Sequence, residues 1–123
     1  MTVDAKGRLV LIVDDDEMIR RLVRTVLEAD DFEVIEAKDG EQALAVIDDK
    51  KPAVVVLDVM MPGLNGVDVC RRLDHDNVKV IILTARDDAE LAEECMAAGA
   101  DAFLTKPFSS IQLLDLVEDL LAA

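Results

Sequence analysis

Residues 54–66 read VVVLDVMMPGLNG. Val54 to Leu57 run without a polar interruption, Asp58 closes the run, and Pro62, Gly63 and Gly66 then break up the segment. A β-rich run this short and this apolar fits a strand covered on both faces, and such strands belong to parallel sheets. Burial would hold the Asp58 carboxylate in place, while its position at the strand's end would leave it reachable.

The same alternation extends in both directions. β-rich runs at Leu9–Val13, Phe32–Ala37, Ala53–Leu57, Lys79–Leu83 and Ala102–Thr105 alternate with helical patterns at about Glu17–Ala29, Gly40–Asp49, Val67–Leu73, Asp87–Ala98 and Ser110–Ala122. In the first helical segment Ile19, Leu22, Val23, Val26 and Leu27 share one stripe, with Arg20, Arg21 and Arg24 on the other side. Five βα units in one domain predict an α/β fold, a parallel sheet with helices on both faces. The mixed run FEVIEA fits an edge strand. Asp39 is placed to cap the second helix and Gly99 to terminate the fourth.

The chain has 123 residues, enough for one domain, and is 52% hydrophobic without Trp or Tyr, so its core must be aliphatic. With 27 acids against 13 bases the formal net charge is −14, which argues against nucleic acid or anionic lipid as a direct partner. Cys70 and Cys95 lack metal-ligand or CxxC spacing and fit reduced packing residues. No leader-like or membrane-spanning apolar stretch is seen, and a cytoplasmic protein is expected. Residues 1–8 are expected to be a flexible lead-in to a domain over 9–123.

In open parallel sheets, functional groups collect at the carboxyl ends of the strands. The first strand ends in Asp14, Asp15, Asp16 and Glu17, the third in Asp58, the fourth in Thr84, and the fifth in Lys106 followed by Pro107. With VDDDE, LDVMMPGLNG, TAR and KPF each following a strand in that order, the chain resembles response-regulator receiver domains from about Leu9 onward. The resemblance implies a doubly wound, flavodoxin-like five-stranded sheet of order 2-1-3-4-5 with five helices.

Electrostatics supports the same site. Two carboxylates 4–5 Å apart repel by roughly 3–4 kcal/mol at an effective dielectric near 20. Gathering Asp14, Asp15 and Asp58 therefore calls for cations. Lys106 is one, and Mg²⁺, with Mn²⁺ as a substitute, suits a site of few protein oxygens and several waters. The resemblance makes Asp15, Asp58 and the Met60 backbone carbonyl direct ligands and has Asp14 act through water. It makes Asp58 the acceptor of a phosphoryl group from a sensor histidine kinase or phosphotransfer protein. Lys106 and Thr84 would neutralise the transferred oxygens. Thr84 and Phe103, which stands where tyrosine is commoner, would switch an output face made of the fourth helix, fifth strand and fifth helix. That face would serve a downstream protein or a fused effector domain, or a homodimer. Met60 and Arg86 would flank the path of hydrolytic water and tune the lifetime of the phosphoryl group. Beyond self-catalysed acceptance and slow loss of phosphate, no enzyme activity is expected.

Each residue also has a plainer explanation. Asp14 to Glu17 could be helix-capping acids, Thr84 a strand end, Lys106 a solvated lysine expected to precede a cis proline, and Phe103 core filling. His75 reads as a surface loop residue. Arg20, Arg21 and Arg24 could pair with neighbours such as Glu17 and Glu28, or dock an acidic kinase surface. The last helix carries an apolar arc of about 160°, wider than the ~100° a surface helix needs. Leu114 or Leu116 is thus either exposed at an interface or covered by neighbouring helices.

Competing classes are a haloacid-dehalogenase-like phosphohydrolase, with Asp14 as nucleophile and Asp16 as acid/base, a flavin carrier, and a phosphate-independent interaction module. The first has Met18 where its pattern wants Thr or Val, and the second lacks a Trp or Tyr to stack on a flavin.

Overall fold

The computed structural model describes residues 8–61, 65–85 and 88–122. Strands and helices alternate: β1 (Leu9–Val13), α1 (Glu17–Glu28), β2 (Glu33–Ala37), α2 (Gly40–Lys50), β3 (Val54–Asp58), α3 (Gly66–Arg71), β4 (Lys79–Thr84), α4 (Ala89–Ala97), β5 (Ala102–Thr105) and α5 (Ser110–Ala122). All strand pairs are parallel, in the order β2-β1-β3-β4-β5.

Strand periodicity of two divides the core into two layers. Leu11, Val13, Val55, Leu57, Val80 and Ile82 meet Ala43 of α2, Val67, Val69 and Cys70 of α3, and Cys95 of α4. Val10, Ile12, Val54, Val56, Ile81 and Leu83 meet Val23 and Leu27 of α1 and Leu113 and Val117 of α5. The three central strands are therefore apolar in their interiors, with polar residues only at the ends of β3 and β4, and β3 is buried at every position. The edge strand β2 is instead mixed, with Val34 and Ala37 buried, Ile35 and Glu36 partly exposed and Glu33 exposed.

Expected boundaries shift by at most two residues, and two shifts matter. Asp58 and Thr84 are the last residues of β3 and β4 rather than the first beyond them, so the sheet's hydrogen bonding reaches the site. Arg8, assigned to the lead-in, is tied down: its guanidinium hydrogen-bonds the Asp30 and Asp31 carbonyls and lies 3.9 Å over the Phe32 ring. The rest of the lead-in, residues 1–7, lies outside the described residues.

Helix ends follow their capping residues. Asp39 accepts from the Gln42 amide, Asn65 from Asp68, and Asp88 from Glu90 and Leu91. At the end of α4, Gly99 has φ +108°, its N–H donates to the Met96 carbonyl, and the Ala100 N–H donates to that of Cys95. These are the paired bonds of a left-handed helix stop.

His75 is not a simple surface residue. Its Nε2 lies 2.7 Å from the Cys70 carbonyl, which fixes the hydrogen on Nε2, and Nδ1 is buried without a partner. A Cβ on Gly99 would fall 2.5 Å from Nε2, so the turn after α4 packs directly on this ring. Leu114 and Leu116 are partly buried against the α1/α5 core layer; the strongly exposed apolar residue of α5 is Ile111.

Candidate functional site

The carboxyl ends of β1, β3, β4 and β5 bring Asp14, Asp58, Thr84 and Lys106 to one rim. Register does most of this: Val13 lies beside Leu57, Asp58 beside Leu83, and Thr84 beside Thr105.

Asp14 is fully buried and held at every polar atom. Its N–H donates to the Ala37 carbonyl, and its carbonyl accepts from Arg20 Nη1 at 2.8 Å. Oδ1 accepts from the Asp16 amide at 2.9 Å and Oδ2 from Lys106 Nζ at 2.9 Å. Asp15 is exposed, whereas Asp16 turns away to cap α1 by accepting from the Met18 amide. Asp16 thus takes the structural alternative, and its carboxylate is engaged where a hydrolase would use it as acid/base.

Asp58 is 3% exposed. Oδ1 accepts from the Met60 amide at 2.9 Å, and Oδ2 lies 3.4 Å from Lys106 Nζ. Gly66 permits this packing, because a Cβ there would lie 2.6 Å from the Asp58 carbonyl oxygen. Thr84 is fully buried, and its carbonyl accepts from the Lys106 amide at 2.7 Å. The Lys106–Pro107 bond is cis as expected, and the ammonium points into the acidic cluster.

The electrostatics is unbalanced. Asp14, Asp15 and Asp58 can each offer an oxygen with all three within 4.8 Å of one another. Burial, aided by the field of Asp58, pushes the Asp14 carboxyl above its ordinary value despite the bonds from Asp16 and Lys106. Burial alone would lower the Lys106 ammonium, but its bond to Asp14 and the field of Asp58 raise it instead. Three carboxylates and one ammonium leave two uncompensated charges, and hard oxygen donors with that deficit fit a divalent hard cation. Receiver domains hold Mg²⁺ at such an aspartate cluster.

The remaining sequence candidates are placed as follows. Met60 contributes its amide to Asp58, and its side chain is half exposed beside the rim. Phe103 is half-buried against the α2/α3/α4 core layer, which agrees with core filling. Arg86 lies outside the described residues, as does part of the loop 85–88.

Arg21 and Arg24 pair with Glu17 and Glu28, each at 3.2 Å. The unforeseen partner is Glu36 of β2, which takes Arg20 Nε at 3.0 Å and Arg24 Nε at 2.7 Å. Arg20 is only 16% exposed, so two of the three arginines offered for docking are committed within the molecule. Glu36, the second acid of the edge run and only partly exposed, was the available signal.

A family model for the response regulator receiver domain matches residues 10–118. The phosphate regulon transcriptional regulatory protein PhoB of Pseudomonas aeruginosa is 39% identical over 88% of this chain and 49% of its own length. The DNA-binding response regulator MtrA of Mycolicibacterium smegmatis is 37% identical over 90% of this chain and 49% of its own length. The chain thus spans about half the length of these curated relatives. Among solved structures, the receiver domain of the Francisella response regulator 1452 superposes with a TM-score of 0.86 at 37% identity, covering 94% of this chain and 97% of that one. The relatives are response regulators, not haloacid-dehalogenase phosphohydrolases.

Proposed function

We infer the role of each group from one premise: this chain belongs to the response regulator receiver domain family of two-component signalling. Asp58 is the phosphoryl acceptor. One of its carboxylate oxygens bonds to phosphorus as the bond to the donor's imidazole nitrogen breaks, leaving an aspartyl phosphate and a free histidine on a sensor kinase or phosphotransfer protein.

The observation that carries this is the geometry at Asp58: a buried carboxylate at a strand end, oriented by the Met60 amide and facing an ammonium at 3.4 Å. Asp15, Asp58 and the Met60 carbonyl would hold Mg²⁺, with Mn²⁺ as a substitute, and Asp14 would hold it through water. The ion supplies charge neutralisation for the phosphoryl oxygens. Lys106 holds a fixed positive charge beside the acceptor. The Thr84 hydroxyl is drawn toward the new phosphate, and Phe103 follows it, which alters the face formed by α4, β5 and α5. A downstream protein, a fused effector domain or a second copy of the chain would read that face. No enzyme activity beyond self-catalysed phosphoryl acceptance and slow loss is proposed, and the setting is the cytoplasm.

Incubation with acetyl phosphate and Mg²⁺, followed by mass-spectrometric mapping, tests the assignment. The label belongs on Asp58 and disappears in Asp58→Asn; a label that survives there overturns it. Met60 and Arg86 offer no acid or amide to orient water, so the same label should decay more slowly than in a Met60→Asn, Arg86→Glu variant. Equal decay removes the tuning role.

A further inference from the structure

Arg20 is partly buried, charged and bonded to the main chain of the rim, yet among the described residues its side chain touches no side chain that carries the phosphoryl chemistry. Its Nη1 donates to the Asp14 carbonyl at 2.8 Å, and its Nε donates to Glu36 Oε1 at 3.0 Å. Glu36 is held in turn through Oε2 by Arg24 Nε at 2.7 Å. The Asp14 N–H meanwhile donates to Ala37, the residue after Glu36. Strand β2 therefore grips Asp14 from both sides, directly through a main-chain bond and indirectly through the Arg20 guanidinium.

The carbonyl that Arg20 holds belongs to the peptide joining Asp14 to Asp15. Fixing that oxygen fixes the plane of the peptide, and hence the direction in which Asp15 leaves the strand. Asp15 has no other restraint of this kind: it is exposed, and among the described residues nothing hydrogen-bonds its carboxylate. A guanidinium suits the task because its planar fork can serve two acceptors at once, which an ammonium on a flexible stem does poorly.

We propose that Arg20 is a positioning residue for the cation site, with Glu36 as its anchor, and that it aims the Asp15 carboxylate by locking the Asp14–Asp15 peptide. The proposal rests on the receiver assignment above. It differs from a plain stabilising role, in which Arg20 would only fasten α1 to β2, because locking the peptide changes Mg²⁺ affinity in the folded protein. Groups that orient metal ligands from outside the ligand set alter affinity by roughly 10–100-fold when removed, and a solvent-facing site should lie at the lower end.

Magnesium titration by calorimetry, combined with amide hydrogen exchange of the metal-free protein, separates the two roles. Arg20→Met keeps the apolar stem and removes every donor. It should weaken Mg²⁺ binding about tenfold and speed exchange at the Asp16 amide, leaving the amides of β3 unchanged. Labelling by acetyl phosphate should slow at low Mg²⁺ and recover at saturating Mg²⁺. Arg20→Lys should restore part of the affinity, and Glu36→Gln should weaken it less than Arg20→Met.

Wild-type affinity and wild-type Asp16 exchange in folded Arg20→Met overturn the proposal. Should that variant fail to fold, unchanged affinity in both Arg20→Lys and Glu36→Gln overturns it equally. A wild-type protein that binds no Mg²⁺ overturns the proposed cation site itself, and the positioning role with it. An indifferent Arg20→Met in a magnesium-binding protein overturns the positioning role alone.

Discussion

Two ionic clusters lie side by side at the top of β1 and β2, and they are built on opposite principles. Around Glu36 the charges balance: Glu36 and Glu28 face Arg20 and Arg24, and each carboxylate accepts from a guanidinium. Hydrogen bonds from Arg24 and Arg20 hold Glu36 below the ordinary carboxylate value although burial pulls it the other way. Around Asp58 the charges do not balance. Asp14 and Asp58 share one ammonium, Asp15 stands beside them, and Asp14 is pushed up by burial. One cluster is compensated within the fold, while the other keeps an excess of negative charge. A site that gathers charge for an incoming ion is unfavourable until the ion arrives, whereas a charge cluster that serves only the fold is already compensated.

The sharpest way to break this contrast is to remove an acid from each cluster in turn. Asp14→Asn should raise the stability of the magnesium-free protein by about 1–2 kcal/mol, since it removes a buried charge facing Asp58. It should also weaken Mg²⁺ binding more than tenfold. A variant less stable than wild type in thermal unfolding would show that the rim is not strained.

Glu36→Gln should act in the opposite direction. It leaves Arg20 without its anion and Arg24 with Glu28 alone, and should lower stability by about 1 kcal/mol, or roughly 3–5 °C in Tm for a domain of this size. The pH dependence sharpens the contrast. The folded value of Glu36 lies below 4.5, so its contribution is present above pH 4.5 and is lost as pH falls through the folded value. The folded value of Asp14 lies above 3.8, so its effect on stability is most favourable at pH 3.8 and below and is lost as pH rises through the folded value. Measured without magnesium as pH rises from about 4 to 7, the advantage of Asp14→Asn over wild type should grow, while the deficit of Glu36→Gln should stay level above pH 4.5. Parallel curves would erase the distinction.

The smallest effect belongs to the solvated face of α1. The Glu17–Arg21 pair is about three-quarters exposed on both sides, and Glu17→Gln should change stability by less than about 0.5 kcal/mol. A larger loss would mean that the surface of α1 contributes more to folding than its exposure suggests.

Much of the rim was legible before any coordinates because its residues punctuate apolar runs. Asp14, Asp58 and Thr84 each follow several buried aliphatic residues, and a parallel sheet brings such ends together. Lys106 was readable as the residue that follows the fifth β-rich run and precedes Pro107, although Leu104 alone is buried in β5. The strand order came only with the resemblance, since alternation of strands and helices does not say which strands are neighbours. What stayed hidden depends on contacts between distant residues. Glu36 lies 16 residues from Arg20, and their meeting requires both the β1–β2 register and the seating of α1 on the sheet. His75 looked solvated because its loop is polar, and nothing local announces that Gly99 leaves room for an imidazole ring.

That ring has a mechanical consequence. His75 is clipped to the end of α3 and lies flush against the turn that ends α4, so the far end of α4 cannot slide without striking it. The near end, capped by Asp88, adjoins the loop that follows Thr84. Any displacement of that near end therefore swings α4 about a fixed pivot, and the largest travel falls on its first turn.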